Sequence, residues 1–451
     1  MPAISKARKA AFQILMAVER GHSHSDDLLR GKVVNALSTP DRNLATALVL
    51  GVLRWQILLD RQLQALLKRP NARLDAEILI ALRLGAFQLL HLDRIPERAA
   101  IDESVELAKQ AGHKFASGMV NAVLRKLKAQ SGPWPEGTIA ELALAQAHPA
   151  WMVERWADAY GLAAARLICM HGQTQPVLTV RLANADAEAE MREAGIELAP
   201  GELLTAARTV VSGDVTATAA STEGRVRLQD EGSQLVAEIA GRGEGSAASA
   251  ILDCCAAPGG KTLILAERNP AARIVACESS AERLAQMRKR IEGMGDRIEC
   301  RLADATALKE DGVFDLVLAD VPCSGTGTLG RNPEIRHRLK VEDLARQAGR
   351  QRAILAAALR AVRVGGRVVY STCSLEPEEN EQVVAAVLAG GARARLTPIG
   401  SSLEGLCREG ILTASGAERL RNCITPEGAL RLMPGVFHTD GFFIALMERT
   451  A

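Results

Sequence analysis

The segments Asp320-Val-Pro-Cys-Ser-Gly-Thr-Gly-Thr328 and Tyr370-Ser-Thr-Cys-Ser-Leu-Glu-Pro377 each follow a short apolar run that reads as a strand. Cys323 and Cys373 therefore lie just past two adjacent strand ends. A thiolate is a strong nucleophile, so this loop pair reads as reactive rather than as inert packing. A third segment, Asp253-Cys-Cys-Ala-Ala-Pro-Gly-Gly-Lys261, ends another strand and opens a helix. Its two glycines let a ligand approach the backbone, and the helix N-terminus offers unpaired N–H groups to a carboxylate. The spacing matches neither GxGxxG nor GxxxxGK[ST], which disfavours NAD and ATP. Glu278 ends the next strand, where a carboxylate commonly accepts ribose hydroxyls, so a nucleoside cofactor is expected. Asp304 and Asp320 end the third and fourth strands. Each alone reads as a turn cap; together on one edge they read as a site. Cys169, Cys254, Cys277, Cys300, Cys407 and Cys423 read as inert packing.

These loops need a scaffold, and residues 250–451 supply its pattern. Short β-rich runs (251–252, 274–276, 298–302, 314–319, 366–370) alternate with helical ones (262–267, 281–291, 344–362, 378–388). Such alternation predicts a mostly parallel, doubly wound α/β sheet with ligands at the C-terminal strand ends.

The rest of the chain differs. From Ser5 to about Lys128 the periodicity is helical, with stripes such as Ala11, Ile14, Leu15 and Val18, then Leu48, Val52 and Leu53. Thr39 is expected to cap a helix that Pro40 opens, and Pro96 to sit in another first turn. Ser131-Gly-Pro-Trp-Pro-Glu-Gly137 breaks the pattern. Residues 148–240 read as a small α+β module, and Gly241-Arg-Gly-Glu-Gly-Ser246 as a linker. The expected domains are thus 1–135, all-helical; 148–240, α+β; and 241–451, α/β.

At 451 residues, two or three domains are expected. Apolar residues at 48% and charged at 24% exclude a disordered chain. Aromatics at 3% disfavour a binding surface built from stacked rings. No uninterrupted apolar stretch of membrane length is present, and the N-terminus does not read as a signal peptide. Nine cysteines without a CxxC read as reduced thiols, hence cytoplasmic. The net charge of +2 hides an asymmetry: residues 1–135 hold 20 Lys and Arg against 12 Asp and Glu, which points that region at a polyanion.

CAAPGGK at 255–261, DVPCSGTGTLGRNPEI at 320–335 and STCSLEPEENE at 371–381 resemble the RNA (cytosine-5)-methyltransferase family. The resemblance implies a Rossmann-like class I methyltransferase domain using S-adenosylmethionine, held by Cys255, Ala256, Ala257, Pro258, Gly259, Gly260, Lys261, Glu278, Asp304 and Asp320. Spacing alone does not say which thiol attacks. The resemblance assigns Cys373 as nucleophile, Cys323 to product release and Asp320 to the pyrimidine edge, with no metal. Lys261 and Pro322 are expected to shape the site. The helical domain resembles the antitermination factor NusB and the middle module is RRM-like. With Leu228-Gln-Asp-Glu-Gly-Ser-Gln234 closing that module, the whole chain is similar to the branch acting on bacterial 16S rRNA, free or in an assembling small subunit. A monomer is expected. The chain departs from the family pattern at Glu278, Val321, Gly330 and His337. Arg331, Arg336 and Arg338 are expected on phosphates, and Phe437 and His438 near the RNA, while Phe442 and Phe443 read as strand core. The target base should be in a loop or flipped from its stack. The competing readings are a transfer-RNA methyltransferase, a DNA methyltransferase, disfavoured by the second cysteine, and a non-catalytic RNA-binding or antitermination protein, disfavoured by the intact cofactor loop.

Overall fold

The structure is a computed structural model that describes residues 4–21, 24–69, 73–127, 134–241 and 248–451. Residues 131–133 of the expected break and 242–246 of the expected linker lie outside the described residues. Chain packing separates two units, residues 1–175 with 329–338, and residues 176–328 with 339–451.

The first unit holds ten helices among its described residues up to 175: α1 Lys6–Glu19, α2 Ser25–Leu29, α3 Lys32–Asn35, α4 Thr39–Leu66, α5 Ala76–His91, α6 Glu97–Gln110, α7 Ser117–Leu127, α8 Ile139–Ala145, α9 Ala150–Tyr160 and α10 Leu162–Gln173. The stripes read from sequence are buried: Ala11, Ile14, Leu15 and Val18 on α1 meet Leu48, Val52 and Leu53 on α4 in one core. Each of the leucine, isoleucine and valine side chains contributes about 1.5–3 kcal/mol on burial. Helix α4 is long and apolar enough to cross a membrane by composition, yet its apolar residues Leu48, Val49, Leu59 and Leu63 are spent on the bundle core. Its cap is Ser38, which accepts from Asp41 N, and not Thr39, which is already helical. Pro96 likewise precedes α6 as its cap. Gly51 lets α4 approach α5, since a Cβ there would overlap the Phe87 ring. Helices α9 and α10 were expected with the middle module. They belong instead to this unit, and Gly161, at φ 82°, separates the two.

The second unit begins with β1 Thr179–Leu182, α11 Ala185–Glu193, β2 Glu197–Pro200, β3 Ala207–Ser212, α12 Ala219–Thr222 and β4 Val226–Leu228. The antiparallel order β2-β3-β1-β4 gives the βαββαβ topology of ferredoxin-like and RRM folds. The strands carry no aromatic residue, so this module lacks the rings on which RRM proteins stack bases. Arg181 on β1 instead pairs with Glu238 at 2.8 Å and Glu267 at 3.0 Å, and Arg227 on β4 with Glu267.

There follow α13 Glu231–Gly241, β5 Ala250–Asp253, α14 Gly260–Arg268, β6 Arg273–Glu278, α15 Ala281–Ile291, β7 Ile298–Leu302, β8 Phe314–Asp320, α16 Ile335–Arg338, α17 Val341–Ala361, β9 Val362–Thr372, α18 Glu381–Ala389, β10 Ala394–Thr397, α19 Gly400–Arg408, α20 Ala414–Arg421, β11 Leu430–Leu432 and β12 Phe442–Arg449. The sheet order is β10-β12-β9-β8-β5-β6-β7, with β11 on β12. Strands β5 to β9 are parallel, as expected, whereas β12 runs against them and pairs antiparallel with β9, β10 and β11. The chain winds outward from β5 through β7 and restarts at β8 on the other side, so the strand order reverses between β5 and β8, the position where open sheets bind ligands.

Residues 329–338, with α16, pack in the helical unit. Arg336, buried, donates to the carbonyls of Arg54 and Ala147 at 3.1 Å and of Gly172 at 3.0 Å. The Glu334 carboxylate accepts from Ser25 N and Oγ at 2.9 Å, and Arg54 donates to Gly330 O at 2.7 Å. Arg338 donates to Val18 O at 2.9 Å. The expected phosphate cluster is thereby corrected: Arg336 and Arg338 are engaged by main-chain carbonyls inside the unit.

Candidate active site

Strands β8 and β9 are neighbours, paired from Phe314 through Asp320, so the loops after them emerge side by side. The Cys323 and Cys373 sulfurs stand 3.4 Å apart. The Cys323 thiol is pushed well above the usual thiol range, first by its hydrogen bond with Cys373, then by burial and the charges of Cys373 and Glu379, while the Gly325 N–H pulls the other way. Asp320 is held from both sides: Lys261 Nζ lies 2.8 Å from Oδ2 and Ser371 Oγ donates to Oδ1 at 2.7 Å. Burial pulls the Lys261 ammonium down, but Asp320, aided by Cys373 and Asp253, outweighs it and raises the group.

The loop after β5 is pinned by Cys254 N to Leu318 O and Ala256 N to Cys277 O, both 2.8 Å, and α14 starts at Gly260. Gly259 is in the left-handed region at φ 96°, and a Cβ there would press on Met287 and Ile291. It serves the turn rather than ligand approach. A cavity of about 310 Å³ is lined by Cys255, Ala257, Glu278, Asp320, Pro322, Cys323 and Cys373 among others, at the low end of ordinary ligand pockets. A second of about 140 Å³ is lined by Gln229, Asp253, Cys255, Ala256, Ala257, Pro258, Gly260, Lys261 and Asp320. Burial pushes the Asp253 carboxyl up to about 7, and Gln229 Oε1 is buried without a hydrogen-bond partner. A ligand ammonium in this smaller space would satisfy both, which fits the amino-acid end of the expected cofactor. Glu278 is buried, accepts from Ser280 N at 2.8 Å and pairs with Arg283 at 3.2 Å, yet still lines the larger cavity.

Other expectations come out differently. Asp304 lines neither cavity; it is exposed and accepts from Thr306 N and Oγ1 at 2.9 Å, a turn cap. Phe437 is only 2% exposed and lies under Arg419, so it is closed to RNA, whereas His438 is exposed. Phe442 and Phe443 are strand core as expected. Burial holds the Cys169 and Cys277 thiols up at about 12, consistent with packing roles. Sequence reasoning missed Gln229, Arg283, Ser371, Gln351 and Glu379. Gln229, Ser371 and Glu379 stand inside motifs read from the sequence, the only signal they gave.

Residues 244–448 match the family model described as 16S rRNA methyltransferase RsmB/F, and residues 5–129 match the NusB family. A probable ribosomal RNA small subunit methyltransferase B of Bacillus subtilis is 33% identical, covering 99% of both chains. The ribosomal RNA small subunit methyltransferase B of Xanthomonas campestris is 31% identical, covering 99% of this chain and 97% of its own. The solved structure of the protein PH0851 shares the fold, with a TM-score of 0.78 at 24% identity over 99% of both chains. With the NusB family matched over the helical region, the RsmB/F model over the α/β sheet, and relatives above 30% identity across nearly the full length, the chain belongs to the 16S rRNA methyltransferase RsmB/F family.

Proposed function

We propose that the protein methylates carbon 5 of a cytosine in 16S rRNA, cytosine 967 in that RNA's numbering, through a covalent bond between Cys373 and the base. The observation that carries the reading is the pair of thiols 3.4 Å apart at the ends of β8 and β9, opening on the cavity that the cofactor loop also lines. S-adenosylmethionine, when bound, supplies an electrophilic sulfonium methyl group. Cytosine C5 is a poor nucleophile until the Cys373 thiolate adds to C6, which moves the ring's electron pair toward C5. Asp320, fixed by Lys261 and Ser371, presents carboxylate oxygens to the amino edge of the base. After C5 is alkylated its proton leaves to a base, the electron pair re-forms the C5–C6 double bond, and the C6–S bond breaks with Cys373 departing as thiolate. Cys323, which its surroundings keep protonated, is placed to donate a hydrogen bond to that departing sulfur.

The full-length similarity, NusB-family domain included, favours ribosomal RNA over transfer RNA. The reaction belongs with small-subunit RNA in the cytoplasm, on free RNA or an assembling particle. Bisulfite sequencing of total RNA from cells with and without the gene tests the target; an unchanged 16S profile rejects it. Cys373→Ala should abolish turnover, while Cys323→Ala should accumulate a protein–RNA adduct seen as a shifted gel band. The reverse pattern exchanges the two roles, and an inactive Cys323→Ala protein without adduct rejects the two-thiol scheme.

A further inference from the structure

Each reacting cysteine is followed by a serine, and both serines end on one carboxylate. Glu379 is fully buried in the turn before α18. Its Oε1 accepts from Ser324 N and from Gln351 Nε2, each at 2.9 Å. Its Oε2 accepts from Ser374 Oγ at 2.5 Å and from Ser324 Oγ. The two hydroxyls also meet each other at 3.0 Å. Gln351 Nε2 continues to Pro322 O at 3.0 Å, and the Tyr370 hydroxyl donates to Glu379 O at 2.6 Å. Burying a carboxylate is costly unless its lone pairs are filled, and here hydroxyl, amide and backbone donors fill them instead of a cation. With its lone pairs filled the carboxylate is held rigidly, although Gln351 Oε1 is left buried without a hydrogen-bond partner.

We propose that Glu379 is a positioning residue for both thiols: one buried carboxylate binds the residue immediately after each cysteine and so fixes the separation of Cys323 and Cys373. The inference rests on the two-thiol reading above and adds to it the device that holds the pair together. The two loops are also joined before the thiols by Val321 N to Ser371 O at 3.0 Å and Ser371 Oγ to Asp320 Oδ1 at 2.7 Å, and beyond them by Gly327 N to Cys373 O and Leu375 N to Thr326 Oγ1, each at 2.9 Å. The Glu379 carboxylate adds a tie to the residue directly after each cysteine. The carboxylate also sets its negative charge beside Cys323, where it opposes ionisation of that thiol. Losing the tie therefore has two separable consequences, a change in spacing and a change in the ease of forming the Cys323 thiolate.

The test uses the full-length protein and Glu379→Gln, which keeps the side-chain shape but not the charge. Alkylation of Cys323 and Cys373 by iodoacetamide is followed residue by residue by mass spectrometry as a function of pH, alongside kcat and KM for RNA. Without the anion the Cys323 profile should move to lower pH, with its rate near neutrality rising about tenfold. Loosened spacing should lower kcat by about 100-fold with KM unchanged. Glu379→Asp, which keeps the charge on a shorter arm, should restore the Cys323 profile but not kcat. A Glu379→Gln protein that unfolds at the wild-type midpoint and shows wild-type alkylation and kcat overturns the proposal. Should Glu379→Gln not fold, Ser324→Ala and Ser374→Ala each remove one tie, and wild-type kcat in both overturns it equally. If the alkylation profile shifts as expected while the wild-type protein methylates no cytosine, the positioning role stands and the assigned reaction fails.

Discussion

Lys261 Nζ and Asp320 form an ion pair that is largely removed from solvent, with side-chain exposures of 15% and 25%. The same ammonium lies 5.7 Å from the centre of the Phe442 ring and is raised in part by Cys373, so it faces the reacting sulfur as well. A fixed cation beside a forming thiolate costs no reorganisation during the reaction, and deleting such a group typically lowers kcat about 100-fold. Lys261→Met should therefore depress single-turnover methylation by about that factor, and calorimetric binding of S-adenosylhomocysteine separates this loss from weaker cofactor binding. Wild-type single-turnover rates in Lys261→Met would leave the lysine with a packing role only. Cys323, Cys373, Asp320 and Lys261 were legible in the sequence because strand ends and glycine-rich turns announce where reacting groups are delivered. Glu379 and Gln351 were not, because their role is created when two loops and a helix meet, which no local spacing encodes. Asp304 also ends a strand on that edge, and Thr306 two residues later caps onto its Oδ1, a contact that strand position alone does not announce.

Among the elements, the parallel strands were readable as continuous apolar runs, since both faces are covered. The antiparallel strands β10 and β11, at three to four residues, carried too little pattern to be found. The segment around α16 shows a subtler limit. Three arginines and a histidine within eight residues look like a phosphate-binding run, yet a guanidinium satisfies main-chain carbonyls as readily as phosphate oxygens, and only the tertiary fold decides. His337 Nε2 donates to Leu53 O at 2.8 Å, and burial lowers its pKa to about 4. His148, fully buried beside Arg336, is lowered well below its usual value by burial and then by that neighbouring charge. Both imidazoles are neutral when folded, whereas an unfolded histidine binds a proton near pH 6.5. The unfolded state then holds more protons below that value, so the stability these groups contribute is complete above about pH 6.5 and is lost as pH falls toward about 4. The slope is up to about 1.4 kcal/mol per pH unit for each histidine. Urea midpoints measured down this range should fall, and His337→Gln should flatten the decline by about one proton; an equal slope in the variant would show that carboxylates alone govern the acid response.

For the molecule as a whole, the excess of cations in residues 1–135 is smaller at the surface than in the sequence. Arg8 is buried against Glu103 at 2.9 Å and Gln88 at 2.6 Å, Arg83 against Asp60 at 2.7 Å and Glu19 at 3.1 Å, and Arg54 against Gly330 O. These three hold the helices together and are lost to any ligand. Others remain exposed, among them Lys114, Arg125 and Lys126 around the start and end of α7, with Phe115 at 80% exposure next to Lys114. Deleting residues 1–135 would not isolate their contribution, because it removes the carbonyl of Arg54 and Ser25, on which Arg336 and Glu334 depend, and strands a buried arginine and carboxylate. Charge removal on the surface avoids this. Each phosphate contact released lowers the slope of log affinity against log salt by about 0.7 to 0.9. Lys114→Gln, Arg125→Gln and Lys126→Gln combined should weaken binding of 16S rRNA fragments and cut that slope by about two if all three meet phosphate, while leaving unfolding midpoints within about 0.5 kcal/mol of wild type because the positions are exposed. Filter-binding titrations across a salt series read both quantities. An unchanged slope would remove this face of the helical unit from the RNA-binding surface, and the excess charge would then act only by steering the polyanion during approach.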